Sequence, residues 1–345
     1  MEIEERLKRR LLIITADFGP GGAQPMTLRL AGELRDRGHI VRVVSLFPRP
    51  DAVQAGMLTG LDVVRLNAHG LLQRARLPIR LARIARQYDL VIGGSEHAPT
   101  TYGYLACVLA RKPFVSWTHI ALSKRIVDEH APIHSSALMM VYRRLSYIVF
   151  PSQGALHDAR NLLGKRRQIP ALFAIPNFFD RVTPQDTEIA FPDTAIFSKP
   201  VLLGAGRFHS QKAFDRLIRT HASLRRRGLD HHLVILGDGP LRPSLEAEAR
   251  ELGVQDTVFM PGYRNNVVTW MSRATVFALC SHYEGFALVI LEALAAGTPA
   301  VAMNCPSGPA EILDGGKYGL LTPPDDESAF AEAIARIFED EGLRR

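Results

Sequence analysis

Residues 284–297 read Glu-Gly-Phe-Ala-Leu-Val-Ile-Leu-Glu-Ala-Leu-Ala-Ala-Gly. Phe286 through Ala296 form an apolar run of helical length, and Gly297 stands where a helix C-terminus favours glycine. A helix apolar nearly all round is a buried one, yet Glu292 sits in its middle and Glu284 just before it. Buried carboxylates need partners, and this stretch supplies none. The helix start also turns free N–H groups and the positive end of its dipole outward. One ligand would meet all three demands, with hydroxyls near Glu284, phosphate at the helix start and a diol near Glu292. A nucleotide-sugar has that layout. A core helix with one structurally paired glutamate is the other reading, and the stretch alone does not choose.

The chain of 345 residues is long for one core, so two domains are expected. It holds no run of 18 uncharged apolar residues that would span a bilayer, and Leu11–Ala16 is too short for a signal-peptide core. Cys107, Cys280 and Cys305 lack metal or redox spacing and read as small buried hydrophobes of a reducing compartment. A cytoplasmic protein is inferred. Charge is unevenly shared. Residues 1–176 carry 25 Lys/Arg against 13 Asp/Glu, and residues 177–345 carry 17 against 22. A basic first half points to an anionic partner, whether nucleic acid, a phospholipid surface or a phosphorylated substrate.

In the first half, Leu11–Ala16 reads as a parallel strand buried on both faces. It runs into Asp17-Phe-Gly-Pro-Gly21-Gly22-Ala-Gln24, a helix from Met26 to Arg37 and a second strand at His39–Leu46. That is the opening of a Rossmann-like sheet. The loop is not a dinucleotide fingerprint, because the third glycine position falls on Gln24, but its glycines can still let backbone approach a ligand closely; a tight turn alone is the other reading. Leu71–Arg86 interleaves five arginines with leucine and isoleucine. A helix starting at Pro78 is expected there, suited either to an anionic membrane surface or to an ordinary solvated face over a core. Nucleic acid fits less well, for few aromatics are interleaved. Strands at Asp89–Ile92 and Pro113–Trp117 lead to His97 and His119, at strand ends where ligands of open parallel sheets sit. Either histidine could equally be structural. Residues 176–200 contain four prolines and read as an interdomain linker.

The second half repeats the α/β rhythm. A strand at Val201–Ala205 feeds Gly206-Arg207-Phe208, and His232–Leu236 feeds Gly237-Asp238-Gly239-Pro240. Thr275–Leu279 feeds the opening stretch, and Pro299–Met303 precedes Gly308-Pro309. Two such halves would leave a cleft between them. Arg207 can fork two phosphate oxygens and Lys212 can act as a mobile point charge. With the helix start at Phe286-Ala287-Leu288 they would neutralise a diphosphate leaving group, although isolated surface cations are the plainer reading of each. No Asp-x-Asp pair and no His/Cys ligand set occurs, so no metal requirement is expected.

Glu284 and Glu292 at their spacing, with Gly206-Arg207-Phe208, Gln211-Lys212, Gly237-Asp-Gly-Pro240 and Gly308-Pro-Ala-Glu-Ile312, strongly resemble glycosyltransferase family 4. The likeness is dense from 201 to 323, and the Gly21-Gly22-Ala23-Gln24 loop extends it over nearly the whole chain. It implies the GT-B fold, two Rossmann-like α/β domains with parallel sheets facing across a cleft. An acceptor-side domain would span 1–176, a linker 177–199 and a donor domain 200–345. It implies retaining transfer by same-face attack, with the leaving phosphate as base and no enzymic nucleophile. Arg207 and Lys212 would hold the diphosphate, Glu292 the ribose and Glu284 the sugar. Gly285, Phe286, Ala287 and Leu288 would serve sugar and phosphate through their backbone. Gly262, Tyr263 and Arg264 would lie near the base, Gly21 and Gly22 would close on the diphosphate, and His119 would approach the sugar. The chain stops at Arg345, short of the crossover helix that the likeness leads one to expect.

The expected function is therefore transfer of a sugar from a nucleoside diphosphate sugar, a UDP-sugar first, to a saccharide or lipid-linked saccharide. The protein would be cytoplasmic and peripheral on the inner membrane face through Leu71–Arg86, with no nucleic-acid partner. A non-catalytic nucleotide-sugar binder of the same fold is the alternative. A nicotinamide dehydrogenase is disfavoured by Gln24.

Overall fold

The computed structural model describes residues 8–19, 23–48, 58–124, 132–164, 170–179 and 193–344. The chain divides into two compact units, Met1–Asn177 and Phe178–Arg345.

The first unit is a seven-stranded parallel sheet. Its strands are β1 (Arg10–Thr15), β2 (Ile40–Ser45), β3 (Asp62–Arg65), β4 (Leu90–Gly93), β5 (Phe114–Trp117), β6 (Tyr147–Phe150) and β7 (Ala171–Ala174). They lie in the order β3-β2-β1-β4-β5-β6-β7. The continuous apolar run of β1 has a direct structural cause. Leu12 and Ile14 enter one hydrophobic core while Leu11 and Ile13 enter another on the opposite face. A strand covered on both sides cannot alternate polar and apolar residues.

Helix α1 (Ala23–Asp36) covers one face through Leu28 and Ala31. Helices α2 (Leu71–Ala85), α3 (Ala98–Ala110), α4 (Pro132–Tyr142) and α5 (Gln153–Leu163) contribute to the core on the other. Right-handed crossovers require this division, because the chain steps one way from β1 to β3 and the other way from β3 to β7. Ser152 caps α5, its Oγ accepting from the Ala155 N–H at 3.1 Å.

Two expectations need correction here. Helix α2 begins at Leu71, not at Pro78, which lies inside it. Leu77, Leu81, Ala82 and Ala85 bury one face, and that packing outweighs the ~3 kcal/mol penalty of an internal proline. The lost bond would have gone to the carbonyl of Arg74, an exposed residue. Strand β3 and helix α4 were not anticipated. β3 offers only Val63 and Val64 as a strand signal.

The second unit holds β8 (Val201–Ala205), β9 (His232–Leu236), β10 (Val258–Gly262), β11 (Val276–Leu279), β12 (Ala300–Met303) and β13 (Leu320–Thr322), in the order β10-β9-β8-β11-β12-β13. All pairings are parallel. Its helices are α6 (Phe214–Arg226), α7 (Arg242–Glu251), α8 (Val267–Ser272), α9 (Leu288–Ala295), α10 (Pro309–Ile312) and α11 (Glu327–Glu339). Within the stretch read as linker, Asp193–Ser198 forms a 3-10 helix that buries Ile196 beside Val201 and Trp270.

Candidate functional site

In each sheet the strand order reverses once, between β1 and β4 in the first and between β8 and β11 in the second. The carboxyl ends of strands beside such a reversal open a crevice where ligands bind in α/β folds.

In the second unit, the loops leaving β8 and β11 are joined there. Lys212 Nζ donates to Glu284 Oε1 at 2.6 Å, and Ser281 Oγ donates to the same oxygen at 2.7 Å. The Lys212 side chain is 17% exposed and that of Glu284 7%, so this is a largely desolvated, charge-assisted pair. A second set of bonds fixes it. The His282 N–H donates to the Gln211 carbonyl at 2.9 Å, and Gln211 Nε2 donates to the Tyr283 carbonyl at 3.0 Å. The Cys280 thiol donates to the carbonyl of Ala213 at 3.2 Å, behind a turn that Ala213 makes at φ +48°. Residues 72 apart in sequence are thereby locked in register. Burial pushes the Cys280 thiol up to about 12 and raises Cys305, with the Glu284 carboxylate adding to the latter. All three cysteines are buried and none is in a disulfide.

The glycines of the loops after β8 and β9 meet each other. A Cβ on Gly237 would stand 1.9 Å from the Gly206 carbonyl oxygen, so the Gly206-Arg-Phe and Gly237-Asp-Gly-Pro loops can cross only without side chains. Gly308, at φ +101°, places its α-carbon against the Phe286 backbone, where a Cβ would meet the carbonyl oxygen at 2.5 Å. The Glu284 N–H donates to the Pro306 carbonyl at 3.2 Å. The Gly308-Pro309 loop is thus a seat for residues 284–287. Gly285, Phe286 and Ala287 are buried in that seat.

Arg207 differs from its neighbours. It is exposed, and among the described residues it has neither ion pair nor side-chain hydrogen bond. Gly262 accepts from the Gly237 N–H at 3.0 Å, Tyr263 is half exposed, and the Arg264 guanidinium lies 5.8 Å from the Trp270 ring centroid. Two expectations about the opening stretch change. Helix α9 starts at Leu288 rather than Phe286, because Ala287 adopts a left-handed conformation (φ +65°) as its N-cap, and no side chain caps it. The helix is also only partly buried. Ile290 and Ala293 reach the core, while Glu292 is half-buried. Its carboxylate is therefore not sealed in an apolar interior. Glu284 is buried, but Lys212 and Ser281 answer its demand for donors, so that demand no longer argues for a ligand by itself.

In the first unit, the loops beyond β1, β4 and β5 converge on Gly94. Its carbonyl accepts from Thr27 Oγ1 on α1 at 3.0 Å and from the His119 Nε2 at 3.0 Å. The Glu96 carboxylate accepts the backbone N–H groups of both His119 and Ile120, fixing the loop after β5. Sequence reasoning passed over Glu96; an acidic residue in a Gly-Gly-Ser-Glu-His strand end was its only signal. The His119 ring lies against Trp117, 4.5 Å between centroids. Burial holds its pKa below the usual 6.5, against the opposing pull of Glu96 and the Gly94 carbonyl. The neutral ring therefore donates from Nε2, which leaves Nδ1 as an acceptor. Among the described residues, that atom is buried with no partner. His97 sits at φ +61° beside the start of α3. The Gly21 and Gly22 positions lie outside the described residues. Among the described residues, no helix is long and apolar enough to cross a membrane.

The family model for Glycosyltransferase Family 4 matches residues 20–181, and that for Glycosyl transferases group 1 matches residues 186–345. A Campylobacter jejuni N-acetylgalactosaminyltransferase acting on a diphospho-undecaprenol-linked saccharide is 34% identical over 156 residues, 45% of this chain and 42% of that protein. The Escherichia coli lipopolysaccharide 1,6-galactosyltransferase is 24% identical over 94% of this chain and 87% of its own length. Two of the curated relatives it matches are spanned over only 18% and 42% of their lengths. Among solved structures, Anabaena HepE in complex with UDP-glucose superposes with a TM-score of 0.83 at 23% identity, over 97% of this chain and 91% of that one. The fold is accordingly GT-B. Matched along nearly its whole length by the two models, the chain belongs to glycosyltransferase family 4.

Proposed function

We propose that the protein is a retaining glycosyltransferase that moves a sugar from a UDP-sugar to a saccharide or lipid-linked saccharide of a bacterial glycan. The observation that carries this reading is the locked Lys212–Glu284 pair at the β8/β11 reversal, with the unpartnered Arg207 in the same loop as Lys212. An ammonium has three donors, and Glu284 uses one. The remaining two, the Arg207 fork and the uncapped start of α9 face the task of stabilising a diphosphate as its charge develops. Preorganised cations and a helix dipole do this without a divalent ion, so transfer proceeds with no metal.

In the reaction the acceptor hydroxyl oxygen bonds to the sugar anomeric carbon on the face from which the nucleoside diphosphate departs. The carbon–oxygen bond to phosphate breaks, and the hydroxyl proton passes to the departing phosphate oxygen. Glu284 contacts the sugar, Glu292 the ribose hydroxyls, and the backbone of Gly285–Leu288 serves sugar and phosphate. Gly262, Tyr263 and Arg264 lie beside the base. His119 Nδ1, a buried acceptor at the crevice of the first unit, is suited to a substrate hydroxyl; Gly21 and Gly22 lie outside the described residues. UDP is the nucleotide in the HepE complex, and the Campylobacter relative takes a lipid-linked acceptor; both guide the first substrates to try.

The test is UDP release from a panel of UDP-sugars with lipid-linked saccharide acceptors, followed by product stereochemistry. Turnover with one donor, lost in Arg207→Ala, is expected, with the anomeric configuration kept. Donor binding without transfer for any acceptor would favour a non-catalytic binder of the same fold.

A further inference from the structure

Helices α2, α3 and α4 share one core on one face of the first sheet, where successive crossovers of the same hand set them side by side. Their outward surface has an unusual composition. Residues 71–86, 98–112 and 132–145 contain nine Lys/Arg and not one Asp or Glu. From Ala98 to Ala110, α3 carries no charge at all. Such a helix is ordinarily buried all round, yet Leu105, Val108 and Leu109 are 40%, 57% and 53% exposed. They fall on one stripe at helical spacing. Beside them, Ile79, Ala82, Arg83, Arg86 and Leu109 line a groove between α2 and α3. Ser136, Met140, Arg143 and Arg144 line another at the end of α4.

Cations near helix C-termini are often explained by the helix dipole. That does not account for the apolar stripe between them. Nor are these cations engaged elsewhere. Among the described residues, Arg83, Arg86, Lys112, Arg143 and Arg144 have no ion pair or side-chain hydrogen bond. Arg111 occupies a left-handed position (φ +55°) after α3, where glycine is the unstrained choice. The Asp89 carboxylate, on the same unit, is exposed and accepts the Arg10 N–H at 2.8 Å. An apolar centre bordered by cations that, among the described residues of these three helices, meet no acid complements an anionic lipid surface.

We propose that the outer face of α2, α3 and α4 docks the protein on an anionic bilayer surface, with Leu105, Val108 and Leu109 entering the headgroup region and Arg83, Arg86, Arg143 and Arg144 meeting lipid phosphates. The surface centres on α3, whereas the sequence alone pointed to Leu71–Arg86. The inference deepens the proposed function by naming where its lipid-linked acceptor is met, but it stands on features independent of the donor site.

Flotation of the full chain with phosphatidylcholine vesicles, with and without about a third phosphatidylglycerol, tests it without nucleotide. Expected is binding only to the anionic vesicles, weakened by salt. Arg143→Gln/Arg144→Gln should lower the partition roughly five-fold for each charge removed, and Val108→Ser/Leu109→Ser should lower it further. The same charge change in the second unit, Arg226→Gln/Arg250→Gln, should leave it unaltered. Equal binding to neutral vesicles, or equal loss in that control, overturns the proposal. So does a short DNA duplex that binds Val108→Ser/Leu109→Ser as tightly as wild type, since charge alone would then explain the patch. UDP release with a water-soluble saccharide is read in parallel. Vesicle binding lost with turnover intact rejects the surface alone; vesicle binding intact with no turnover for any donor rejects the transferase reading alone.

Discussion

The crevice ends of the two sheets are furnished differently. Between β8 and β11 the second unit sets a full charge pair, Lys212 on Glu284, with the Arg207 guanidinium unpaired among the described residues. Between β1 and β4 the first unit uses carboxylate on backbone and a neutral imidazole. Glu96 holds the His119 and Ile120 N–H groups, Asp17 Oδ1 accepts the Gly19 N–H at 3.0 Å, and His119 leaves Nδ1 open. On the proposed function, the first unit's arrangement suits uncharged hydroxyls and the second unit's a diphosphate. Fixed cations are most effective where charge develops, whereas hydroxyls need shaped acceptors and donors. The difference also bears on stability. A desolvated ion pair is costly to break on one side only.

The largest effect should therefore fall on the second unit. Lys212→Ala strands the buried Glu284 carboxylate, and denaturant melts should show a loss of about 3–5 kcal/mol. Turnover should drop about a hundred- to a thousand-fold. Lys212→Ala with Glu284→Gln should restore most of the stability but none of the activity; recovery of activity would mean that the pair is only structural.

Glu96→Gln probes the counterpart. Its carboxylate caps two N–H groups, so a stability loss of about 1–3 kcal/mol is expected. A fall of roughly tenfold in kcat/KM should follow, as misplaced positioning groups cost less than missing cations. If Glu96→Gln matched Lys212→Ala in turnover, the contrast between the two ends would be wrong.

Protonation separates the units again. His119 is neutral because burial depresses its pKa below 6.5, so kcat/KM should stay flat down to that pH and decline only below it, with the decline absent in His119→Asn. In the second unit His221 donates to or accepts from His231 and Thr257, both at 2.9 Å, and burial lowers it to about 3. The unfolded chain takes up a proton near pH 6.5 that the folded chain refuses until about 3. That contribution is present above 6.5 and is lost as pH falls from 6.5 toward 3. Melting temperature followed across that range should slope less in His221→Gln.

The smallest expected effect concerns metal. Chelation with EDTA should change turnover by less than about two-fold, because on the proposed function Arg207, Lys212 and the α9 dipole would stabilise the leaving group. Strict dependence on Mg²⁺ or Mn²⁺ would overturn that assignment.

Much of the scaffold was legible because buried parallel strands cannot hide their apolar runs. Val201–Ala205 and His232–Leu236 fall at the expected residues. β3 escaped because two valines are too weak a signal, and α2 was started late because Pro78 was given more weight than the spacing of Leu77 and Leu81. At the site, Lys212 and Glu284 were each identifiable, but their contact was not, since a bond across 72 residues depends on strand order. The depth of Glu292 was misjudged because apolar composition does not reveal which face of a two-turn helix is covered. Glu96 was missed because its partners are backbone N–H groups, which leave no pattern in side chains.

The central claim is that the β8/β11 end holds a nucleoside diphosphate sugar. Calorimetric titration of UDP-glucose into wild type and Arg207→Ala tests it most directly, because Arg207 is exposed and its loss should not disturb folding. Expected is saturable binding that the substitution weakens about ten- to a hundred-fold, as for loss of a charge-assisted bond. Equal affinity in the two proteins would contradict it.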